Sequence, residues 1–341
     1  MNHSFNILLW PISLIYGSIA GLRRLYFELF NKRTSVEIPT IIVGNLTVGG
    51  TGKTPMVLYL ADLLKEDYHL AVLSRGYGRR SKGFLEVEKD SQSEEVGDEP
   101  KEIKLQQLQI PVYVAENRLE GLSNIISLHP EVNLVLLDDG FQHLPLRGKV
   151  NILLCNFHRP FYKDFVMPAG RLREFKSVAK GVDMIIVTKC PTDLSIDDAC
   201  EMELILKRYC RQIFFTSYNV TTPNLLIGKG EIHLGEAVIL ITGVAEGKKV
   251  RDELKDVDVV KHFNYLDHTN FGMKELQEWI QYAKDFEVSN MMMTRKDWMR
   301  VKDLVDDETI FGEMNVYEIH TEISFLFGGI KTFKKTLTDL I

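Results

Sequence analysis

Residues 44–54 read Gly-Asn-Leu-Thr-Val-Gly-Gly-Thr-Gly-Lys-Thr. A short β-rich run, Thr40–Gly44, precedes them, and an apolar pattern with helical spacing follows from Thr54 to about Lys65. A strand that feeds a glycine-rich turn and then a helix commits the chain to an α/β arrangement. It is also the context that a Walker A phosphate loop requires. Glycines let successive backbone N–H groups turn toward a polyphosphate, and the helix N-terminus adds partial positive charge. Gly49, Gly50, Thr51, Gly52, Lys53 and Thr54 are therefore the candidate nucleotide-binding residues. Lys53 is expected to reach the β- and γ-phosphates, and the Thr54 hydroxyl to hold Mg²⁺. Pro55 suits the first helical turn, where its missing N–H costs nothing. One position departs from the usual pattern: Thr47 stands where the first glycine of G-x-x-x-x-G-K-[ST] is expected.

Leu134-Val-Leu-Leu-Asp138-Asp139 has the shape of a Walker B strand, a buried run that delivers a carboxylate to a metal. Asp139 is the preferred Mg²⁺ ligand, with Asp138 beside it. A GTPase should show N-K-x-D after a later strand. Met184–Thr188 is instead followed by Lys189, Cys190 and Pro191, and no D-x-x-G occurs at Asp138 or Asp139. ATP is the expected nucleotide.

Further apolar runs at Leu70–Ser74, Val112–Val114, Val150–Leu154 and Met184–Thr188 alternate with helical patterns, one of them Arg118–His129. Such alternation implies a parallel sheet covered on both faces. Ser81–Asp98 is an acidic excursion, and Pro100 can open a helix after it. The alternation restarts at Ala237, which suggests a boundary near residue 220. The expected organisation is an N-terminal helix in 1–33, a P-loop core in 34–220 and a smaller α/β domain in 221–341.

Lys and Arg number 41 against 47 Asp and Glu, a net charge of −6. An acidic chain lacks the basic face that general nucleic-acid binding needs, so no nucleic-acid partner is expected. Cys155, Cys190, Cys200 and Cys210 are scattered, with neither zinc-ligand spacing nor a disulfide framework. Mean hydropathy is only −0.07. That average conceals Phe5–Leu22, which carries no charged residue. Leu8, Ile12, Ile15, Ile19, Leu22, Tyr26 and Leu29 make one apolar stripe, while Ser13, Gly17, Arg24 and Glu28 fall on another face. Trp10, Tyr16, Arg23, Arg24, Lys32 and Arg33 suit a membrane interface. The segment reads as a helix lying on a membrane surface or, equally, as one docked on the protein's own core.

Several separated motifs together resemble one family. They are Gly49-Gly-Thr-Gly-Lys-Thr-Pro55, Ser74-Arg-Gly-Tyr-Gly78, Gly97-Asp-Glu-Pro100, Leu137-Asp-Asp-Gly-Phe-Gln-His143, Pro168-Ala-Gly-Arg-Leu-Arg-Glu174 and Asp267-His268. In this order the chain is similar to the tetraacyldisaccharide 4'-kinases, the lipid A kinases of Gram-negative bacteria. That family departs from the standard loop at the same position as Thr47. The resemblance implies transfer of phosphate from ATP to the 4'-hydroxyl of an acylated glucosamine disaccharide 1-phosphate. It implies a P-loop core with a smaller C-terminal α/β domain and a site between them. It also implies a monomer held at the cytoplasmic face of the inner membrane, in contact with membrane lipids.

By the same resemblance Asp98 is the base that takes the hydroxyl proton, and His268 supports it. Residue 269 is Thr where many members carry a second His. Read on its own, Asp98 could instead cap the helix that Pro100 opens, and His268 could be a surface residue. Arg75, Arg118 and Arg171 are candidates for phosphate groups, because a guanidinium fork matches phosphate oxygens. Tyr77, Gln142 and His143 are expected to face the acceptor, and Glu174 to lie near the metal. Two other classes remain open: a soluble P-loop kinase or ligase with the N-terminal helix in its core, and a nucleotide switch without a base.

Overall fold

The computed structural model describes residues 9–30, 37–141, 143, 145–146, 148–220, 223–244, 247–266, 269, 271–302, 304–305 and 308–341. The chain divides into two compact units, Met1–Tyr218 with Ile323–Ile341, and Asn219–Glu322.

The first unit is built on a nine-stranded sheet. In chain order its strands are β1 (Thr40–Gly44), β2 (Leu70–Ser74), β3 (Leu85–Glu86), β4 (Val112–Val114), β5 (Leu134–Asp138), β6 (Val150–Asn156), β7 (Met184–Cys190), β8 (Gln212–Val220) and β14 (Thr321–Phe325). They lie in the order β14-β8-β7-β6-β1-β5-β2-β4-β3. From β8 to β4 neighbours run parallel, and β3 closes the edge antiparallel. Every residue of β1, β2 and β5 is buried. Continuous Val, Ile and Leu runs are what a sheet covered on both faces demands.

β1 sits between β5 and β6. The chain leaves β1 toward β5 and β2 and later returns to β6 on its other side. The C-terminal end of β1 is thus a switch point, where open α/β sheets take ligands.

The second unit carries β9 (Asn224–Ile227), β10 (Ala237–Thr242), β11 (Asp258–Asn264), β12 (Asn290–Thr294) and β13 (Asn315–Ile319). Their order is β11-β10-β12-β13-β9, parallel except for the last pair. A helix over Met273–Asp285 buries Leu276, Trp279, Ile280 and Ala283, the repeat of one helical face. The last helix, Ile330–Leu340, belongs to the first unit. Its Phe333 and Leu337, one turn apart, are fully buried with Phe214 in the core over β1. The C-terminal segment therefore differs from the expectation of one continuous domain over 221–341. Its apolar stripe completes the larger sheet's core.

Helix α1 (Trp10–Leu29) is docked on the protein's own first unit. Its small and polar face is the docked one. Ser13 is 6% exposed, and its hydroxyl accepts the Ala169 N–H at 2.8 Å. Gly17 packs on the Phe175 ring so closely that a Cβ there would lie 2.6 Å from Cζ. Arg24 grips both carboxylate oxygens of Glu174, at 2.5 and 2.9 Å. The apolar stripe points away: Ile12, Ile15, Ile19, Leu22, Tyr26 and Leu29 are each more than half exposed. Among the described residues no helix is long and apolar enough to cross a membrane.

Gly17→Val should destabilise the first unit by about 1–3 kcal/mol, the cost of overpacking a closed contact. The exposed-face change Ile15→Val should stay within about 0.5 kcal/mol. Denaturant unfolding of the two variants checks this, and equal effects would contradict the docking described.

Candidate active site

The phosphate loop leaves β1 and enters helix α2 (Lys53–Leu64) through Gly52. Gly52 has φ +84 and Gly49 φ +113, a left-handed region that suits glycine. At Gly52 there is a second constraint, because a Cβ would collide with the Tyr218 hydroxyl. The loop is braced from inside. Asn45 Nδ2 donates to Thr51 Oγ1 at 2.7 Å, and Thr188 Oγ1, from β7, donates to the Thr51 carbonyl at 2.9 Å.

Thr47 has an ordinary role. It forms an antiparallel bridge with Leu172 and is not among the positive-φ residues. The adjoining bonds run from Val48 N–H to the Arg171 carbonyl (2.9 Å) and from Arg173 N–H to the Leu46 carbonyl (2.8 Å). Extended backbone there needs no glycine.

Asp138 ends β5, and Asp139 turns the chain with φ +51. Asp138 is fully buried. Its Oδ2 accepts from Ser74 Oγ at 3.5 Å, and its Oδ1 has no hydrogen-bond partner among the described residues. Burial, with Glu99 next, pushes its pKa up to about 7 against the pull of Lys53 and Arg118. A buried carboxylate oxygen without a donor, on a strand that pairs with the one feeding the glycine loop, fits a divalent cation. Asp139 receives Arg173 Nη1 at 3.2 Å and lies 3.9 Å from Lys53 Nζ. Lys53 and both aspartates are thus assembled at one end of the sheet.

Arg118 is 4% exposed and donates to the Glu116 carbonyl (2.9 Å) and the Asp139 carbonyl (3.3 Å). Burial, then the nearby Arg75, lowers its pKa to about 10. His143 feels the same charges. Burial first, then Arg118, Arg23 and Arg75, lowers its pKa to about 4. A neutral imidazole among guanidinium groups suits hydrogen bonding to a polar acceptor more than charge pairing.

Asp98 is exposed and occupies the first position of helix α4 (Asp98–Gln106), which follows the one-turn α3 (Ser93–Val96). The N-cap is Gly97, with φ +95, so Asp98 is not the capping residue. A Cβ on Gly97 would lie 3.2 Å from the Gly76 and Tyr77 backbone, so Asp98 follows directly on the loop that carries Arg75 and Tyr77. Arg75 and Tyr77 are both exposed. Arg171 reaches the phosphate loop through its carbonyl, while its side chain is exposed.

Glu174 has a partner that its expected place near the metal does not involve. Both of its oxygens are engaged by Arg24, so here it holds α1. Gln142 and His268 lie outside the described residues. Three participants carried no earlier role. Arg173 sits in the Pro168–Glu174 motif, Glu99 beside Asp98, and Thr188 where a guanine-reading motif was sought.

In a magnetic-resonance titration the His143 ring should remain neutral from pH 7 down to about 4. A midpoint near the ordinary 6.5 would contradict the arginine-lined environment.

The comparisons agree on one family. The family described as LpxK, tetraacyldisaccharide-1-P 4'-kinase, matches residues 5–341. A tetraacyldisaccharide 4'-kinase of Cytophaga hutchinsonii is 35% identical over 305 residues, 88% of this chain and 86% of that protein. One from Phocaeicola vulgatus is 34% identical over 349 residues, covering 98% and 94%. The fold is similar to a crystal structure of LpxK from Aquifex aeolicus described as an apo form in complex with ATP. That likeness has a TM-score of 0.73 and 26% identity, covering 98% of this chain and 99% of the other. A phosphate loop, an aspartate turn and matches spanning almost the whole length lead to one conclusion: the chain belongs to the tetraacyldisaccharide-1-P 4'-kinase family.

Proposed function

We propose that this chain transfers the γ-phosphoryl group of ATP to the 4'-hydroxyl of a tetraacyldisaccharide 1-phosphate. The observation that carries this reading is the convergence of Lys53, Asp139 and buried Asp138 at the end of β1 and β5, in a chain of this family. Thr54, Asp138 and Asp139 would hold Mg²⁺, which supplies charge neutralisation at the β- and γ-phosphates. The glycine loop and the N-terminus of α2 orient N–H donors toward those phosphates. Lys53 offsets charge that builds on the transferring group.

The acceptor hydroxyl is a poor nucleophile until its proton leaves. The Asp98 carboxylate accepts that proton as the hydroxyl oxygen bonds to phosphorus and ADP departs. His268 supports the base, and Arg75, Arg118, Arg171, Tyr77, Gln142 and His143 bind the acceptor's polar groups. The apolar stripe of α1 lies on the cytoplasmic face of the inner membrane. Support for this comes from its six large, exposed apolar side chains on one face, beside the interfacial Arg23.

Incubation with γ-labelled ATP and a tetraacyldisaccharide 1-phosphate tests the activity. A labelled 4'-phosphomonoester is the expected product, and ATP hydrolysis with no labelled lipid would contradict it. Asp98→Ala should lower kcat by about 10²–10⁴-fold while ATP affinity is nearly retained. Lys53→Ala should abolish turnover; a variant with near-normal rate would remove the residue from its role.

For the membrane surface, replacing Ile15, Ile19 and Leu22 with Ser should shift the protein from vesicle-bound to free in a flotation assay. Each loses about 1.5–3 kcal/mol of apolar burial. Undiminished flotation would place the contact elsewhere.

A further inference from the structure

We propose that Arg79 and Glu116, neither of which touches the phosphate loop, form a strut that positions Asp98 for catalysis. This rests on the reading of Asp98 as the base and extends it to residues outside the motif.

The Arg79 side chain is only 2% exposed. Its Nη2 donates to the Glu116 carboxylate at 2.7 Å and to the Gly83 carbonyl at 2.6 Å. Its Nε and Nη1 are buried without a partner among the described residues. The compensation for this charge is therefore concentrated on one nitrogen, and Glu116 supplies its ionic part. The other Glu116 oxygen accepts the Gly83 N–H at 3.0 Å, so a single carboxylate closes the turn from Arg79 to Gly83. The Arg79 pair and both hydrogen bonds hold the Glu116 pKa below the ordinary value although burial raises it.

The Arg79 stem folds over Gly76, where an added Cβ would meet its Cδ at 2.5 Å. Gly76 and the Tyr77 carbonyl in turn form the surface on which Gly97 rests. The same loop is laced to the segment before Asp98 by the Arg80 N–H, which donates to the Glu94 carbonyl at 2.7 Å. Glu116 also reaches the aspartate turn: its carbonyl accepts from Arg118, whose Nη2 donates to the Asp139 carbonyl. The Glu116 carboxylate thus ties the Arg75–Gly83 loop to the start of α4, while its main-chain carbonyl links the same residue to the turn at Asp139. Removing Glu116 leaves a buried guanidinium without its counter-charge. The loop must then open to hydrate it, and Gly97 loses its support.

Kinetics of Arg79→Met and Glu116→Gln, each alone and combined with Asp98→Ala, test the proposal on the full-length enzyme. Either strut variant should lower kcat on the order of 10- to 100-fold, the cost of a small misplacement of a reacting group. KM for ATP should change less than about twofold, since nucleotide contacts are untouched. In the Asp98→Ala background the strut variants should add no further loss. Unchanged kcat, a loss confined to KM for ATP, or an undiminished further loss without Asp98 would each overturn it. Asp98→Ala alone reports on the base itself: if that variant keeps its rate, the base assignment fails, and the strut proposal fails with it. If Arg79→Met does not fold, Glu116→Gln carries the same comparison, because its amide oxygen still accepts from Arg79.

Discussion

The antiparallel contact between residues 46–48 and 171–173 organises this molecule. Two backbone hydrogen bonds, from Val48 to Arg171 and from Arg173 to Leu46, fix the outer limb of the phosphate loop to the segment that follows Pro168. That segment then spends its side chains on both neighbours. Arg173 reaches Asp139 in the aspartate turn, and Glu174 reaches Arg24 on α1. The glycine loop, the aspartate turn and the exposed apolar helix are consequently linked through four consecutive residues. A protein that must bring a water-soluble triphosphate to a lipid gains from such a connection. The helix with the exposed apolar stripe and the glycine loop share one support.

The helix itself shows which face of an amphipathic segment can dock. An amphipathic segment was expected either to lie on a membrane or to dock on the core. It docks, but with its small and polar face. Ser13 and Gly17 allow close approach, and Arg24 is neutralised by Glu174. The apolar residues that periodicity places on one stripe are left exposed together. Burying them in the protein would have demanded an apolar partner surface.

Much of the fold was legible in the sequence because it rests on local physics. Continuous Val, Ile and Leu runs marked the parallel strands, and the glycine loop marked the switch point. Asp138, Asp139 and Lys53 were legible because strand, turn and helix place them by chain geometry alone. Thr47 looked anomalous only because its partner, Leu172, lies far away in sequence. Arg173 and Thr188 escaped notice for the same reason, since each acts across a long-range contact that no local pattern encodes. The family resemblance is what places Glu174 toward the metal. The competing partner, Arg24, comes from a segment 150 residues earlier. Asp98 could be read as a cap until the structure gave that position to Gly97. The return of the last helix to the first unit was likewise hidden, because an amphipathic stripe does not say which sheet it covers.

Native-state hydrogen exchange at the Val48 and Arg173 amides tests the central claim most directly. If the pairing holds the loop, these two amides exchange only in openings of the first unit's core, with the protection of the β1 amides. Protection no greater than that of a solvent-exposed loop would show that the phosphate loop and the Arg171–Glu174 segment move independently. The single support described here would then not exist.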